Sequence, residues 1–148
     1  MNRRDFLALG SALATMAVPL TLFGSRRPKG LPLDLAGRLY FTREQPGRWE
    51  AKVKGHLPHF SAKREDDRWF VTLSTEHEMV PQHYIVKHQL FDENYTLLSE
   101  HLFIPGTASS ALSEHVIATL PKSGYMVSVC NKHDMWVEPW NLGLAGSG

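Results

Sequence analysis

The spacing of the apolar runs after residue 37 constrains this chain most. RLYFT (38–42), RWEAKVK (48–54), RWFVTLS (68–74), HYIVKHQLF (83–91), TLLSEHLF (96–103), SEHVIATL (113–120) and GYMVSVC (124–130) are broken by EQPG, REDD, FDEN, IPGT and PKSG. Short runs rich in aromatic and β-branched residues, punctuated by turn formers, predict strands of an antiparallel β-sandwich. Trp69, Val71 and Leu73 alternate with Phe70, Thr72 and Ser74, and Tyr125, Val127 and Val129 with Met126, Ser128 and Cys130. That two-residue period belongs to strands with two distinct faces. TASSALSEHVIATL (107–120) also fits a helical turn. The fold class expected is all-β.

The length of 148 residues suits one domain with a real core. The formal charge of +1 hides an asymmetry: Arg3, Arg4, Arg26, Arg27 and Lys29 fall in the first thirty positions with only Asp5. The rest holds 11 Lys and Arg against 14 Asp and Glu, a net of −3. A weakly acidic body gives no electrostatic basis for binding nucleic acid.

Residues 1–24 read as a targeting segment. Two arginines precede Phe6 and Leu7, and residues 6–24 carry no charge. A basic start before an apolar run is an address or anchor, not part of a fold. Its order resembles a twin-arginine export signal, which implies export in a folded, often metal-loaded state and a periplasmic location. Nineteen uncharged residues also approach the roughly 20 that span a bilayer. Cleavage and retention as an inner-membrane tether are therefore both open. SRRPKGLPLDLAG (25–37) reads as a linker, and 38–148 as the folded body.

The single cysteine, Cys130, excludes an intramolecular disulfide. An unpaired thiol in an exported protein suggests a bridge to another chain, a reactive group or a ligand, with a small buried hydrophobe as the plain alternative. Among eight histidines, His133 follows Cys130 by three positions, His77 and His83 lie six apart, and His56 precedes His77 by 21. Pro81 keeps the chain between His77 and His83 out of regular pairing. Strand ends on one rim of a sandwich can bring the three segments together.

These pieces, H-x-P at His56 to Pro58, H-x-M-x-x-x-H-Y-I at His77 to Ile85 and C-N-x-H-x-x-W at Cys130 to Trp136, resemble the iron centre of the superoxide reductase family, which includes neelaredoxin and the iron-binding domain of desulfoferrodoxin. The resemblance runs over residues 45 to 140. It implies an immunoglobulin-like sandwich of about seven strands. It implies one mononuclear iron held by His56, His77, His83 and His133 in an equatorial plane, with Cys130 as axial thiolate and a sixth position for superoxide. The activity implied is reduction of superoxide to hydrogen peroxide with an external electron-donor protein; homo-oligomers are common in the family. Only Cys130 is present, so the chain carries no four-cysteine rubredoxin-like module.

The sequence departs from the family pattern at three places. The family commonly has Glu-Lys before the first histidine; here Lys54 and Gly55 stand there. Lys54 is the candidate catalytic cation if a loop carries it, whereas in a strand the one-residue shift turns it to the other face. Glu78 stands in place of a proline and Asp134 in place of a glycine. Asp tolerates left-handed backbone, so the turn after His133 is expected to survive. A carboxylate near the metal would stabilise its ferric form.

Two other readings compete. A cupredoxin-like carrier uses one Cys, two His and often a Met on an exported sandwich, and Cys130, His133 and Met135 have a faint likeness to it. The second is a membrane-tethered, non-enzymatic sandwich serving as a subunit of a larger complex. His59, His88, His101 and His115 have no place in the metal pattern. Trp136, Trp140 and Tyr84 are expected to pack, and Met79 and Met135 to be apolar wall.

Overall fold

The computed structural model describes residues 30–143. The expected targeting segment (1–24) and residues 25–29 of the expected linker lie outside the described residues. Among the described residues, no helix is long and apolar enough to cross a membrane.

Seven strands form two antiparallel sheets. They are β1 (Pro58–Glu65), β2 (Arg68–Thr75), β3 (Ile85–Asp92), β4 (Leu97–Leu102), β5 (Ala111–Ile117), β6 (Ser123–Cys130) and β7 (Asp134–Asn141). One sheet has the order β1-β2-β5 and the other β4-β3-β6-β7. The chain crosses between sheets after β2, β4 and β5, which wraps both around one core. Val71 and Leu73 of β2 and Leu90 of β3 are fully or almost fully buried between them, with Ile117, Met126 and Trp140. Burying a side chain of the Leu or Val class contributes about 1.5–3 kcal/mol. Gly124 of β6 leaves no room for a side chain: a Cβ there would strike the Phe91 carbonyl and the Trp140 ring.

The outer face of the four-stranded sheet is apolar too. Val127 and Val137, with Tyr125, Val129 and Met135 beside them, pack under Leu31, Leu35, Ala36 and Tyr40. The Tyr40 hydroxyl ties the covering segment by donating to the Pro32 carbonyl at 2.9 Å. Val127 therefore does not face water, although it lies on the opposite side of β6 from Met126 and Ser128.

Five of the seven expected strands are present. The segment 107–120 yields β5, with burial alternating at every residue from Ala111 to Ile117, and not a helical turn. RWEAKVK is not a strand. Residues Gly47–Gly55 form a 3-10 helix, interrupted at Trp49. Trp49, Ala51 and Val53 mimic strand alternation, yet Ala51 is exposed, while Trp49 and Val53 pack together on Phe41, Leu57 and Trp136. RLYFT makes only isolated bridges, the Phe41 N–H donating to the Met135 carbonyl and the Val137 N–H to the Phe41 carbonyl, both at 2.8 Å. It caps the open edge of β7.

The two strands missing from the sequence reading are both edges. β1, PHFSAKRE, has charged residues where an alternating apolar face would be sought, a common way to blunt an edge. β7, DMWVEPWN, contains Pro139, which an edge strand tolerates because one side needs no ladder donor.

Candidate metal centre

One rim of the sandwich collects three pieces of chain. The 3-10 helix delivers His56 just before β1; the crossover between β2 and β3 carries His77 and His83; the β6–β7 hairpin carries Cys130 and His133. Each piece is fixed locally. The His56 N–H donates to the Val53 carbonyl at 3.2 Å, closing the helix. In the crossover the Val80 and His83 backbones exchange hydrogen bonds across Pro81. Asn131 clamps the crossover to the hairpin: its side-chain oxygen accepts the Tyr84 N–H at 3.0 Å, and its amide donates to the Gln82 carbonyl at 3.1 Å.

The hairpin has a three-residue loop, Asn131 to His133, and Cys130 pairs with Asp134. Asp134, the first residue after the loop, has φ 64°, a left-handed backbone that Asp tolerates. Its carboxylate accepts the Trp49 indole N–H at 2.7 Å and an Arg48 guanidinium N–H at 2.5 Å. Trp49 meets the His133 ring edge-on, centroids 4.7 Å apart. Trp136 lies under the site, its indole N–H donating to the His133 carbonyl at 2.8 Å and its ring 5.5 Å from that of His56. Trp140, expected beneath the site, stacks instead on Phe60.

His56, His77, His83, His133 and Cys130 each turn one donor atom to a common point, with all five atoms within 4.8 Å of one another. His56 Nε2 is 2.9 Å from His133 Nδ1, which is 3.0 Å from His83 Nε2, which is 3.1 Å from His77 Nε2. The four nitrogens thus run in the order 56, 133, 83, 77, with three edges near 3 Å and the His56 and His77 rings closing the circuit at 4.6 Å between centroids, an arrangement that approximates a square. The Cys130 sulfur lies 3.6 Å from His77 Nε2 and 3.6 Å from His133 Nδ1. Those are opposite corners, so the sulfur is equidistant from them and lies on the plane that bisects that diagonal.

The donor set fits a single metal ion. Nitrogens at right angles about an ion, each about 2.1 Å from it, stand about 3.0 Å apart. Three imidazoles have their tautomers set from outside, as ligating histidines usually do. His56 Nδ1 pairs with the Lys52 carbonyl at 2.9 Å, His77 Nδ1 with the Glu78 carbonyl, and His83 Nδ1 with the Glu78 carboxylate at 2.5 Å. Each outer N–H donates, which leaves the inner nitrogen a lone pair. The Lys132 N–H points at the Cys130 sulfur, 3.4 Å away.

The electrostatics agree with metal ligation. Burial pushes His56 down to about 4, with smaller repulsive contributions from the other histidines. Burial also lowers His77 and His133. Neutral imidazole is the ligating form. Burial raises the Cys130 thiol, against the Lys132 and His133 backbone N–H groups that lower it; binding a cation would release its proton. The His83 hydrogen bond holds the exposed Glu78 carboxyl below its ordinary value. Four imidazoles and one sulfur differ from the trigonal two-histidine, one-cysteine set of blue copper. Met135 packs on the outer face of the sheet, and Met79 Sδ accepts the Ile85 N–H at 3.4 Å.

Lys54 is not part of this group. It lines a cleft with Glu50, Leu57, His59 and Glu76. The lysines whose charge acts on the site are Lys52, felt by His77 and His133, and Lys132, felt by His133 and Cys130. Residues 48–54 are helical rather than extended, and the chain folds back so that the Lys52 carbonyl meets His56 Nδ1 at 2.9 Å. Nothing in the sequence pointed to the pairing of Trp49 with Asp134.

No family model matches the sequence, and no curated protein matches it. Solved structures do. The superoxide reductase (neelaredoxin) of Ignicoccus hospitalis is 26% identical, with 71% of this chain and 94% of that one covered at a TM-score of 0.56. The superoxide reductase of Nanoarchaeum equitans is 19% identical, with 60% and 94% covered and a TM-score of 0.54. A superoxide reductase in the oxidised state is 20% identical, with 62% and 90% covered and a TM-score of 0.51. The described chain therefore shares its β-sandwich fold with superoxide reductases, and it carries a cluster of four histidines and one cysteine on the rim of that fold.

Proposed function

We propose that this protein is a superoxide reductase-like, mononuclear non-haem iron protein. The observation that carries the proposal is the position of the Cys130 sulfur, equidistant at 3.6 Å from opposite corners of the histidine square. His56, His77, His83, His133 and Cys130 would hold the ion, and five donors would leave an ion of octahedral preference room for one outside ligand. Iron there would supply one electron, so that superoxide, that electron and two protons give hydrogen peroxide, and an external donor protein would restore the electron.

The chain's own residues supply the rest. His56, His77, His83 and His133 would contribute imidazole nitrogens, and Cys130 the one anionic donor atom in direct contact with the ion. Cys130, as a thiolate, would donate electron density to the bound iron. Lys52 and Lys132 place positive charge beside the site and draw in an anionic substrate; this role falls to Lys52 in place of Lys54. The N-terminal sequence supports export by the twin-arginine route, with the protein periplasmic and either free or tethered through residues 6–24.

Metal analysis and a superoxide pulse on the purified protein test the reading. One iron per chain is expected, with a visible sulfur-to-iron charge-transfer band in the oxidised form and stoichiometric peroxide without oxygen release. Copper at one per chain, or bound iron inert to the pulse, would overturn it.

A further inference from the structure

Glu78 is attached to the metal cluster twice. Its backbone carbonyl accepts the Nδ1–H of His77, and its carboxylate accepts the Nδ1–H of His83 at 2.5 Å. His77 and His83 are adjacent corners of the square, 3.1 Å apart at their inner nitrogens. One residue thus orients half of the imidazoles. The backbone contact needs no particular side chain. The second contact does, and among the described residues His83 is the one member of the four in contact with a carboxylate.

We propose that Glu78 is a positioning residue that sets the redox potential of the centre through His83. The inference rests on the iron reading above. A carboxylate holding the outer N–H of an imidazole gives that ring anionic character and makes its inner nitrogen a stronger donor. A stronger, more negative donor stabilises ferric over ferrous iron, so the potential falls. The neutral carbonyls that hold His56 and His77 exert less of this pull. Glu78 lies in the crossover, outside any strand, with its side chain 57% exposed; substitution there removes a polarising contact without opening a cavity.

Two variants separate charge from orientation. Glu78→Gln keeps an oxygen acceptor for His83 and loses the charge; Glu78→Ala loses both. The iron-loaded wild type and both variants are titrated spectroelectrochemically at one pH, and iron retention is followed against a chelator. The potential is expected to rise in both variants. Retention is expected to stay near wild type in Glu78→Gln and to fall about 10–100-fold in Glu78→Ala, the usual cost of losing such an outer partner. Equal potentials in all three proteins, each with one iron and its charge-transfer band, overturn the inference and leave the iron reading standing. A rise in Glu78→Ala alone overturns it too, because orientation and not charge would then set the potential. A wild type that holds no iron and shows no band overturns the iron reading itself.

Discussion

The carboxylate of Asp134 accepts the indole N–H of Trp49 at 2.7 Å, joining the turn that carries His133 to the helix that leads to His56. Arg48 reinforces the link at 2.5 Å and lies over the Phe41 ring, 4.9 Å from its centroid. Asp134 is thus a latch on the rim, and its charge adds a smaller rise to the one that burial imposes on the Cys130 thiol. Trp49→Phe keeps the ring packed on His133 and removes the donor. A hydrogen bond to a charged group contributes about 1.5–3 kcal/mol when buried; with the Asp134 side chain 42% exposed, solvent screening reduces this to about 1 kcal/mol. The urea midpoint should fall accordingly with the slope unchanged. An unaltered midpoint would show that the latch is ornamental.

Cys130 is 4% exposed and packs with Ile85, Phe103 and Ala111. Serine fills nearly the same space there, so Cys130→Ser should keep the sandwich, read as an unchanged far-ultraviolet circular dichroism spectrum. Its hydroxyl is a poor substitute for a thiolate beside the four imidazoles. The visible band should disappear, and peroxide formation with it. Retention of both would remove sulfur from the centre.

The sandwich was legible because its interior strands obey the two-residue period: Val71 and Leu73 are buried, as their alternation with Phe70 and Thr72 implies. The edges were not legible. β1 carries Lys63, Arg64 and Glu65 on a strand whose outer side needs no apolar face, and a charged segment reads as a break. Trp49 and Val53 misled because spacing by four and spacing by two coincide over five residues. All five clustered side chains were visible in the sequence, since loop spacing and flanking residues travel with them. What sequence could not carry was direction. Whether Asp134 faces metal or Trp49, and whether Lys52 or Lys54 faces the histidines, depends on how the helix lies across the rim.

The lysines give a direct comparison. Lys52 acts electrostatically on His77 and His133, whereas Lys54 lines the cleft with Glu50 and Glu76. Lys52→Ala should slow the second-order reaction with superoxide several-fold at low salt and flatten its dependence on ionic strength. Lys54→Ala should change the rate less. The reverse ranking in pulse measurements would return the steering role to Lys54.

Acid should weaken the fold through a second set of histidines, away from the metal. Ser99 donates to His115 Nδ1 at 2.7 Å, His115 Nε2 to Ser113 at 2.9 Å, Ser113 to His88 Nδ1 at 2.8 Å, His88 Nε2 to Thr75 at 2.9 Å and Thr75 to Ser128 at 3.1 Å. The chain has one direction only if both rings are neutral, and it satisfies every polar group on its path. Burial pushes His88 down to about 3, with the His115 and His101 charges adding to the fall, and burial lowers His115 as well. The unfolded chain therefore binds more protons than the native one below the ordinary histidine value of 6.5. The sign follows: the His88 contribution is complete above that value and is lost as pH falls toward 3, at about 1.4 kcal/mol per pH unit, and His115 adds a loss of the same sign. Carboxylates and the metal ligands add slopes of their own, so the measurement is a difference. His88→Gln retains a donor and an acceptor and removes the titration. Between pH 6 and 4 the urea-derived stability of the wild type should fall more steeply than that of His88→Gln, and parallel slopes would exclude His88 as a source of acid sensitivity.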